Sequence, residues 1–212
     1  MNSLSTTSLA PSEALLQLPT ITTLYKDVFA APPWNEAYRC TCCNQSFGQD
    51  TPPNTQCCDQ SVVEYYPLDQ TTEEIRQCLS LTRARIALAL NDNDLVGFSW
   101  GWQDTLEATN ASKFSLKPEE CEKLCSLTGL SADDPFFYLS ELGVRQDFRG
   151  KGLGRQLYET VLQARDTSQA DRIMMRTSKK SPAFAISQSD ASFPLEIIFE
   201  YRDQLDRVIL FR

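Results

Sequence analysis

The stretch Phe136-Phe137-Tyr138-Leu139-Ser140-Glu141-Leu142-Gly143-Val144 runs directly into Arg145-Gln146-Asp147-Phe148-Arg149-Gly150-Lys151-Gly152-Leu153-Gly154, and the reading of these two joined segments decides the fold. The first, set off by Pro135, is rich in aromatic and branched residues and reads as a β-strand. A polar turn follows. Alternating glycines then open an amphipathic helix over Leu153 to Ala164, with Leu153, Leu157, Val161 and Ala164 on one side. Glycine lets main chain approach a ligand closely, and the N–H groups of a helix's first turn favour an anion. A strand, a glycine loop and a helix in that order suit a pyrophosphate.

Two familiar phosphate loops do not fit. A Walker loop needs a glycine five residues before its Gly-Lys pair and a Ser or Thr after the lysine; here Arg145 and Gly152 stand in those places. A dinucleotide fingerprint needs G-x-G-x-x-G, and Arg155 occupies the last glycine position. The third comparison succeeds: Arg149-x-x-Gly152-x-Gly154, inside E-L-x-V-x-x-x-x-R-G-x-G-x-G and followed by an amphipathic helix, resembles the acetyl-CoA-binding motif of the GNAT superfamily of N-acetyltransferases. Its specific residues lie between Tyr138 and Tyr158. The resemblance implies a mixed α/β sheet, flanked by helices, that splays open between the strands Phe136–Val144 and Arg172–Arg176. The cosubstrate's pantetheine arm would lie in the gap against the backbone of Leu142, Gly143 and Val144, as an added strand would. Amides of Arg149, Gly150, Lys151, Gly152, Leu153 and Gly154 would surround the pyrophosphate.

The resemblance also implies direct attack of an amine on the thioester of acetyl-CoA. Glu141 occupies the place where many members carry the carboxylate that accepts the amine's proton; the plainer reading is a solvent-facing strand end. Many members place a tyrosine general acid on the helix after the next strand. By spacing from Lys180-x-x-Ala183 that position falls near Ser187, and no tyrosine occurs between Tyr158 and Tyr201. Tyr201 is either a substitute acid or strand packing. A thiol with a pKa of about 8.5 leaves readily without much help. Pro32-Pro33-Trp34-Asn35-Glu36 resembles a segment beside the family's acceptor pocket, where Trp34 would stack on a substrate and Glu36 would pair with a cation; packing beneath the neighbouring segment is the other reading of Trp34.

Working outward, Ile21 to Ala30 reads as a helix with Leu24, Val28 and Phe29 along one side, stopped by Ala31-Pro32-Pro33. Residues 38–60 lack apolar periodicity and read as a loop-like, cysteine-rich insertion. Thr71-Thr72-Glu73-Glu74 reads as a helix start. Ala84–Leu90 and Leu95–Trp102 form a hairpin turning at Asn91-Asp92-Asn93-Asp94, with Trp100 and Trp102 packing in the core. Residues 104–134 read as a second insertion holding a short helix from Lys117-Pro118-Glu119-Glu120. Glu196 to Arg212 reads as two strands turning near Asp203-Gln204. The Ser/Thr-rich Asn2 to Ser8 reads as a frayed tail. The whole is expected to be one domain over residues 1–212.

The cysteines group unevenly. Cys40-x-x-Cys43 has the spacing that turns two thiolates toward one ion, and Cys57-Cys58 completes a set of four. A tetrahedral structural zinc site would rigidify a segment without a core of its own. Cys42 can replace one member, and disulfides are the competing reading. Cys78, Cys121 and Cys125 read as small hydrophobes.

Composition sets the remaining bounds. The chain has 212 residues, enough for one well-packed domain. It has no histidine, which removes Ser-His-Asp and Cys-His catalysis and His-containing zinc sites. Its net charge of −8, with no basic run, argues against nucleic acid as a partner. The acidity reads mainly as a solubility feature, with acidic walls attracting a cationic amine as the functional alternative. No apolar stretch is long enough to span a bilayer, and the first residues lack a secretory pattern, so a cytoplasmic enzyme free of the membrane is expected. The acceptor is a small-molecule or a protein amine. The rival reading is a non-catalytic acyl-CoA sensor whose cysteine-rich module docks a protein.

Overall fold

The computed structural model describes residues 4–52, 54–166, 171–201 and 206–212. A strand β1 (Leu4–Leu9) leads through the short helix α1 (Pro11–Leu15) into α2 (Leu18–Ala30). Five two-residue strands follow: β2 (Tyr38–Arg39), β3 (Ser46–Phe47), β4 (Gln56–Cys57), β5 (Gln60–Ser61) and β6 (Val63–Glu64). Then come α3 (Leu68–Leu79), the hairpin β7 (Arg85–Asn91) and β8 (Asp94–Asp104), α4 (Leu106–Thr109), a π-helical turn over Asn110–Phe114, and α5 (Pro118–Thr128). The chain closes with β9 (Phe136–Val144), a 3-10 turn over Gln146–Phe148, α6 (Leu153–Gln163), β10 (Ile173–Ser178), α7 (Pro182–Ser189), β11 (Glu196–Glu200) and β12 (Arg207–Phe211).

Seven strands form one sheet in the order β1-β7-β8-β9-β10-β12-β11, antiparallel at every pair but β9–β10. The parallel pair is joined through α6, as a parallel connection requires. One face carries a core of Ile21, Leu24, Phe98, Trp100, Trp102 and Tyr138 beneath α2, α3 and the segment after β8. The other buries Leu153, Leu157, Tyr158 and Val161 of α6 on Phe137 and Leu139. Cys78, Cys121 and Cys125 pack against the first core as small apolar groups. No helix of the described residues is long and apolar enough to cross a membrane.

β9 matches the strand read from the sequence residue for residue. Other boundaries move for identifiable reasons. α2 begins at Leu18 because Pro19 suits a helix's first turn. α3 begins at Leu68, one turn before the threonines, after an extended Pro67 and with Asp69 in its first turn. The reading of Asn2 to Ser8 as a frayed tail is wrong: Leu4–Leu9 pairs in register with Asn91 to Ile86. β7 would otherwise leave a row of N–H and C=O groups unpaired, and a Ser/Thr-rich strand supplies partners while its side chains face water. The turn read at Asp203-Gln204 lies outside the described residues.

The decisive irregularity is in β9. Trp100 faces Glu141, but its neighbour Gly101 faces Leu139, so Ser140 is an extra residue, a β-bulge. Pairing of β9 with β10 ends one rung earlier, at Leu139 opposite Met175. Beyond it the two strands separate, and among the described residues the β10-side edge of β9 from Ser140 to Val144 has no strand partner. Bulge and splay coincide.

Candidate active site

The bulge decides where each side chain of β9 points. Before it, Phe136 and Tyr138 belong to the α2-side core, while Phe137 and Leu139 face α6. Strict alternation would send Ser140, Leu142 and Val144 toward α2. The extra residue reverses this: Leu142 and Val144 pack on the α6 side, and a Cβ on Gly143 would lie 2.5 Å from Phe98 Cζ and 2.9 Å from Val28 Cγ1. Glu141, in step with Gly143, therefore turns to the α2 face. Gly143 is needed because Phe98 and α2 fill the space above it.

Two cavities open in the splay, end to end. One, of about 330 Å³, is lined by the unpaired edge Leu142 to Val144, the loop from Phe148 to Arg155, and α7. The other, of about 260 Å³, holds Glu36, Glu141, Tyr25, Tyr65 and Tyr66. Trp34, Leu142 and Ala183 border both. Trp34 thus stands at the junction, its ring 5.9 Å from that of Phe29.

The loop of the first cavity is built to present amides. Gly150 (φ 76°) and Gly152 (φ 81°) adopt left-handed backbone that other residues enter only with strain. Among the described residues, no N–H from Gly150 to Arg155 donates to a protein acceptor. Arg149 has another part. Its own N–H closes the 3-10 turn on Gln146 O (3.3 Å). Its guanidinium donates to Val144 O (2.9 Å), Pro32 O (2.6 Å) and Val28 O (3.4 Å), pinning the loop to the end of α2. Lys151 Nζ donates back to Asp147 O (3.1 Å) and lies 4.5 Å from the centroid of the Phe148 ring. The free amides thus begin at Gly150, one residue after the arginine. Replacing Arg149 with alanine should lower stability by about 1–3 kcal/mol, since three carbonyls lose a charged donor; urea unfolding with an unchanged midpoint would show that water serves them equally well.

In the second cavity, burial pushes the Glu141 carboxyl up to about 7, with Lys113 pulling it down and Glu36 pushing it further up. The Ser140 hydroxyl donates to it at 3.3 Å. A carboxylate of that basicity can hold a proton and release it near neutrality. Burial also raises Glu36, whose carboxylate accepts the Tyr66 hydroxyl. Ser187 does not reach either cavity; it is buried, and its hydroxyl is spent on Phe184 O (2.8 Å). The Tyr201 hydroxyl donates to Phe114 O (3.1 Å), and Tyr201 lines neither cavity.

Sequence reasoning missed Tyr25, Tyr65, Tyr66, Lys113, Arg176 and Arg207, which all line the second cavity. It read the acidity mainly as a solubility feature, with acidic walls as the functional alternative. Instead the cavity holds three cationic side chains against the two carboxylates. Each comes from a different element, so no local pattern announces them.

The cysteine-rich segment folds into a three-stranded ribbon, β3-β2-β6, beside the hairpin β4-β5. These turns gather the Sγ atoms of Cys40, Cys43, Cys57 and Cys58 within 4.8 Å of one another. Cys43 and Cys57 lie 3.7 Å apart, and Cys57 and Cys58 3.9 Å. Four thiolates around one tetrahedral ion with bonds of about 2.3 Å stand roughly 3.8 Å apart, so the set could hold a metal. The N–H of Cys43 holds the Cys40 thiol down at about 7. Cys42 is exposed and outside the group, and none of the eight cysteines forms a disulfide.

A splayed mixed sheet with a strand, a glycine loop and a helix lining its cleft defines the acyltransferase class of fold. The profile of the GNAT acetyltransferase family matches residues 54–185, well over half of the chain, and the chain belongs to that family. Comparison with curated proteins gave no match. Among solved structures, the chain is similar to mosquito arylalkylamine N-acetyltransferase like 5b (TM-score 0.58, 11% identity, 99% of each chain covered). It is also similar to Arabidopsis thaliana NAA60 in complex with a bisubstrate analogue (TM-score 0.55, 11% identity, 99% of this chain and 97% of that one). A third likeness is to the NatC complex bound to Gag peptide and CoA (TM-score 0.55, 14% identity, 99% and 97%). At these identities the likeness is one of fold. The family transfers acyl groups from acetyl-CoA to amines.

Proposed function

We propose that this chain is an acetyl-CoA-dependent N-acetyltransferase acting on a primary amine, with Glu141 as general base. The observation that carries the reading is the coincidence of bulge and splay: the bulge that turns Glu141 into the second cavity lies where the edge that lines the first loses its strand partner. Six unpaired amides from Gly150 to Arg155 fit a pyrophosphate, and the free edge of Leu142, Gly143 and Val144 fits an extended pantetheine. Bound acetyl-CoA would supply an acetyl thioester whose C–S bond breaks as the amine's C–N bond forms. The amine attacks in its neutral form, Glu141 takes the proton that its nitrogen gives up as the C–N bond forms, and backbone amides near the end of β9 serve the developing oxyanion. Glu36 orients the amine, with Trp34 closing the junction. With Ser187 buried, departure of the thiolate relies on its own acidity.

Cys40, Cys43, Cys57 and Cys58 are assigned to a structural zinc; four ligands leave no open position for catalysis. Free thiols in that number suit a reducing, cytoplasmic setting. We treat residues 38–60 and 104–134 as insertions into one domain spanning 1–212. An acyl-CoA sensor is the second reading, favoured only by the absence of an acid at Ser187. Thiol release from acetyl-CoA, measured over a panel of amines, separates the two: turnover supports the enzyme, whereas CoA binding with no turnover on any amine supports the sensor.

A further inference from the structure

Resting on that reading of the second cavity, we infer that the acceptor carries an anionic oxygen group, a carboxylate or a phosphate, on the same small molecule as its amine. In a chain of net charge −8, Lys113, Arg176 and Arg207 all face one cavity of about 260 Å³. They arrive from the π-helical turn, β10 and β12, so the fold gathers them from far apart. Among the described residues, neither Lys113 nor Arg176 has a carboxylate within 4.0 Å. Arg176 gives one N–H to the Lys113 carbonyl, which fixes the guanidinium and leaves its other donors.

The placement of Arg176 relative to Glu141 supports the same conclusion. Arg176 is the first residue of β10 beyond the last rung, Met175 opposite Leu139. Glu141 lies just past that rung on β9. The two face the splay from opposite strands, just past the last paired rung, and both line the one cavity of about 260 Å³, so one small molecule can span them. Glu36 and Glu141 can take an ammonium, but Lys113 and Arg176 line the same cavity and a plain cationic amine leaves both of them without a counter-charge. An oxyanion beside the amine supplies it. A guanidinium offers the planar fork that carboxylate and phosphate both match, and aromatic walls from Tyr65, Tyr66 and Trp34 leave room for an apolar group.

The test compares matched acceptors on the full chain with acetyl-CoA: phenylalanine against phenylalaninamide, and phosphoethanolamine against ethanolamine. The charged member of at least one pair should have the higher kcat/KM, by roughly 10- to 100-fold, the equivalent of one charge-assisted hydrogen bond. Which pair shows the preference tells carboxylate from phosphate. In Arg176→Gln, and separately in Lys113→Gln, the ratio within that pair should fall toward one, with protection by CoA against thermal unfolding confirming that each variant is folded. Uncharged members that match or exceed their partners would overturn the inference and leave amine acetylation standing. No turnover on any of the four would overturn the inference, and the enzymatic reading falls with it only if the wider panel of amines also gives no turnover. A ratio that survives in both variants would show that these cations are not its source.

Discussion

Replacing Glu141 with glutamine should lower kcat/KM for acetyl transfer by about 100- to 1,000-fold, within the range that one positioned proton acceptor contributes. Glutamine keeps the shape and loses the proton-accepting oxygen, so acetyl-CoA binding should stay close to wild type. The pH profile supplies the sign. Glu141 must be ionised to accept a proton, and burial holds its carboxyl up at about 7. Activity of the wild type should therefore be nearly absent well below pH 7 and rise through it. The amine's own deprotonation adds a second rise at higher pH, which the variant retains. The variant should lack the limb near 7, so the difference between the two profiles isolates Glu141. Near-wild-type turnover in E141Q, or an unchanged acid limb, would remove Glu141 from the reaction.

Withdrawing metal should produce the second large effect, and it should fall on the acceptor side. The strands that leave the cysteine cluster run straight into the wall of the second cavity. Cys40 follows β2 directly, and the Ala37 N–H donates to Phe47 O (2.9 Å) while the Tyr65 N–H donates to Ala37 O (3.0 Å). Glu36, Tyr65 and Tyr66 hang on this ribbon, whereas the glycine loop rests on β9, α6 and the end of α2. Structural zinc contributes about 10–16 kcal/mol to small folded peptides, comparable with the whole stability of a domain, so the ribbon should lose its order without it. Chelation under reducing conditions should raise the acceptor KM tenfold or more, roughly the effect of losing one positioned hydrogen bond, with much less change in affinity for CoA. The same pattern is expected of Cys40→Ser. Protein purified in reductant without a bound metal ion, or chelated protein with unaltered kinetics, would refute the assignment.

How much of this was legible depended on how local each signal was. The strand Phe136–Val144, the glycine loop and the following helix could be read almost to the residue, because aromatic content, glycine spacing and helical period all lie within one stretch of chain. The cysteine cluster was legible too, but spacing left Cys42 as an alternative member, and only the turns decide that Cys40, Cys43, Cys57 and Cys58 come together. The bulge at Ser140 could not be read: it depends on the partner strand, and no residue type demands it. Nor could β1, since its Ser/Thr composition describes a tail as well as an edge strand. Arg149 was expected at the pyrophosphate through its amide, but its anchoring bonds reach Val28 and Pro32, more than a hundred residues away. The cations of the second cavity come from three elements and share no pattern. Net charge averages over the whole chain, so it read mainly as a solubility feature, with acidic walls as the alternative, and it could not show that three cations line the site.

Calorimetric titration of CoA into the wild type and into Gly152→Val asks whether main-chain amides of the loop from Gly150 to Arg155 hold a diphosphate. Gly152 sits at φ 81° and an added Cβ would meet nothing within 4 Å, so the substitution acts on backbone conformation rather than on packing. A side chain in left-handed backbone costs roughly 1–2 kcal/mol; the free variant escapes that strain by turning its amides aside and must restore it on binding. The variant should bind CoA about 5- to 30-fold more weakly. Equal affinity for the two proteins, or no binding to the wild type, would show that these amides do not hold the diphosphate.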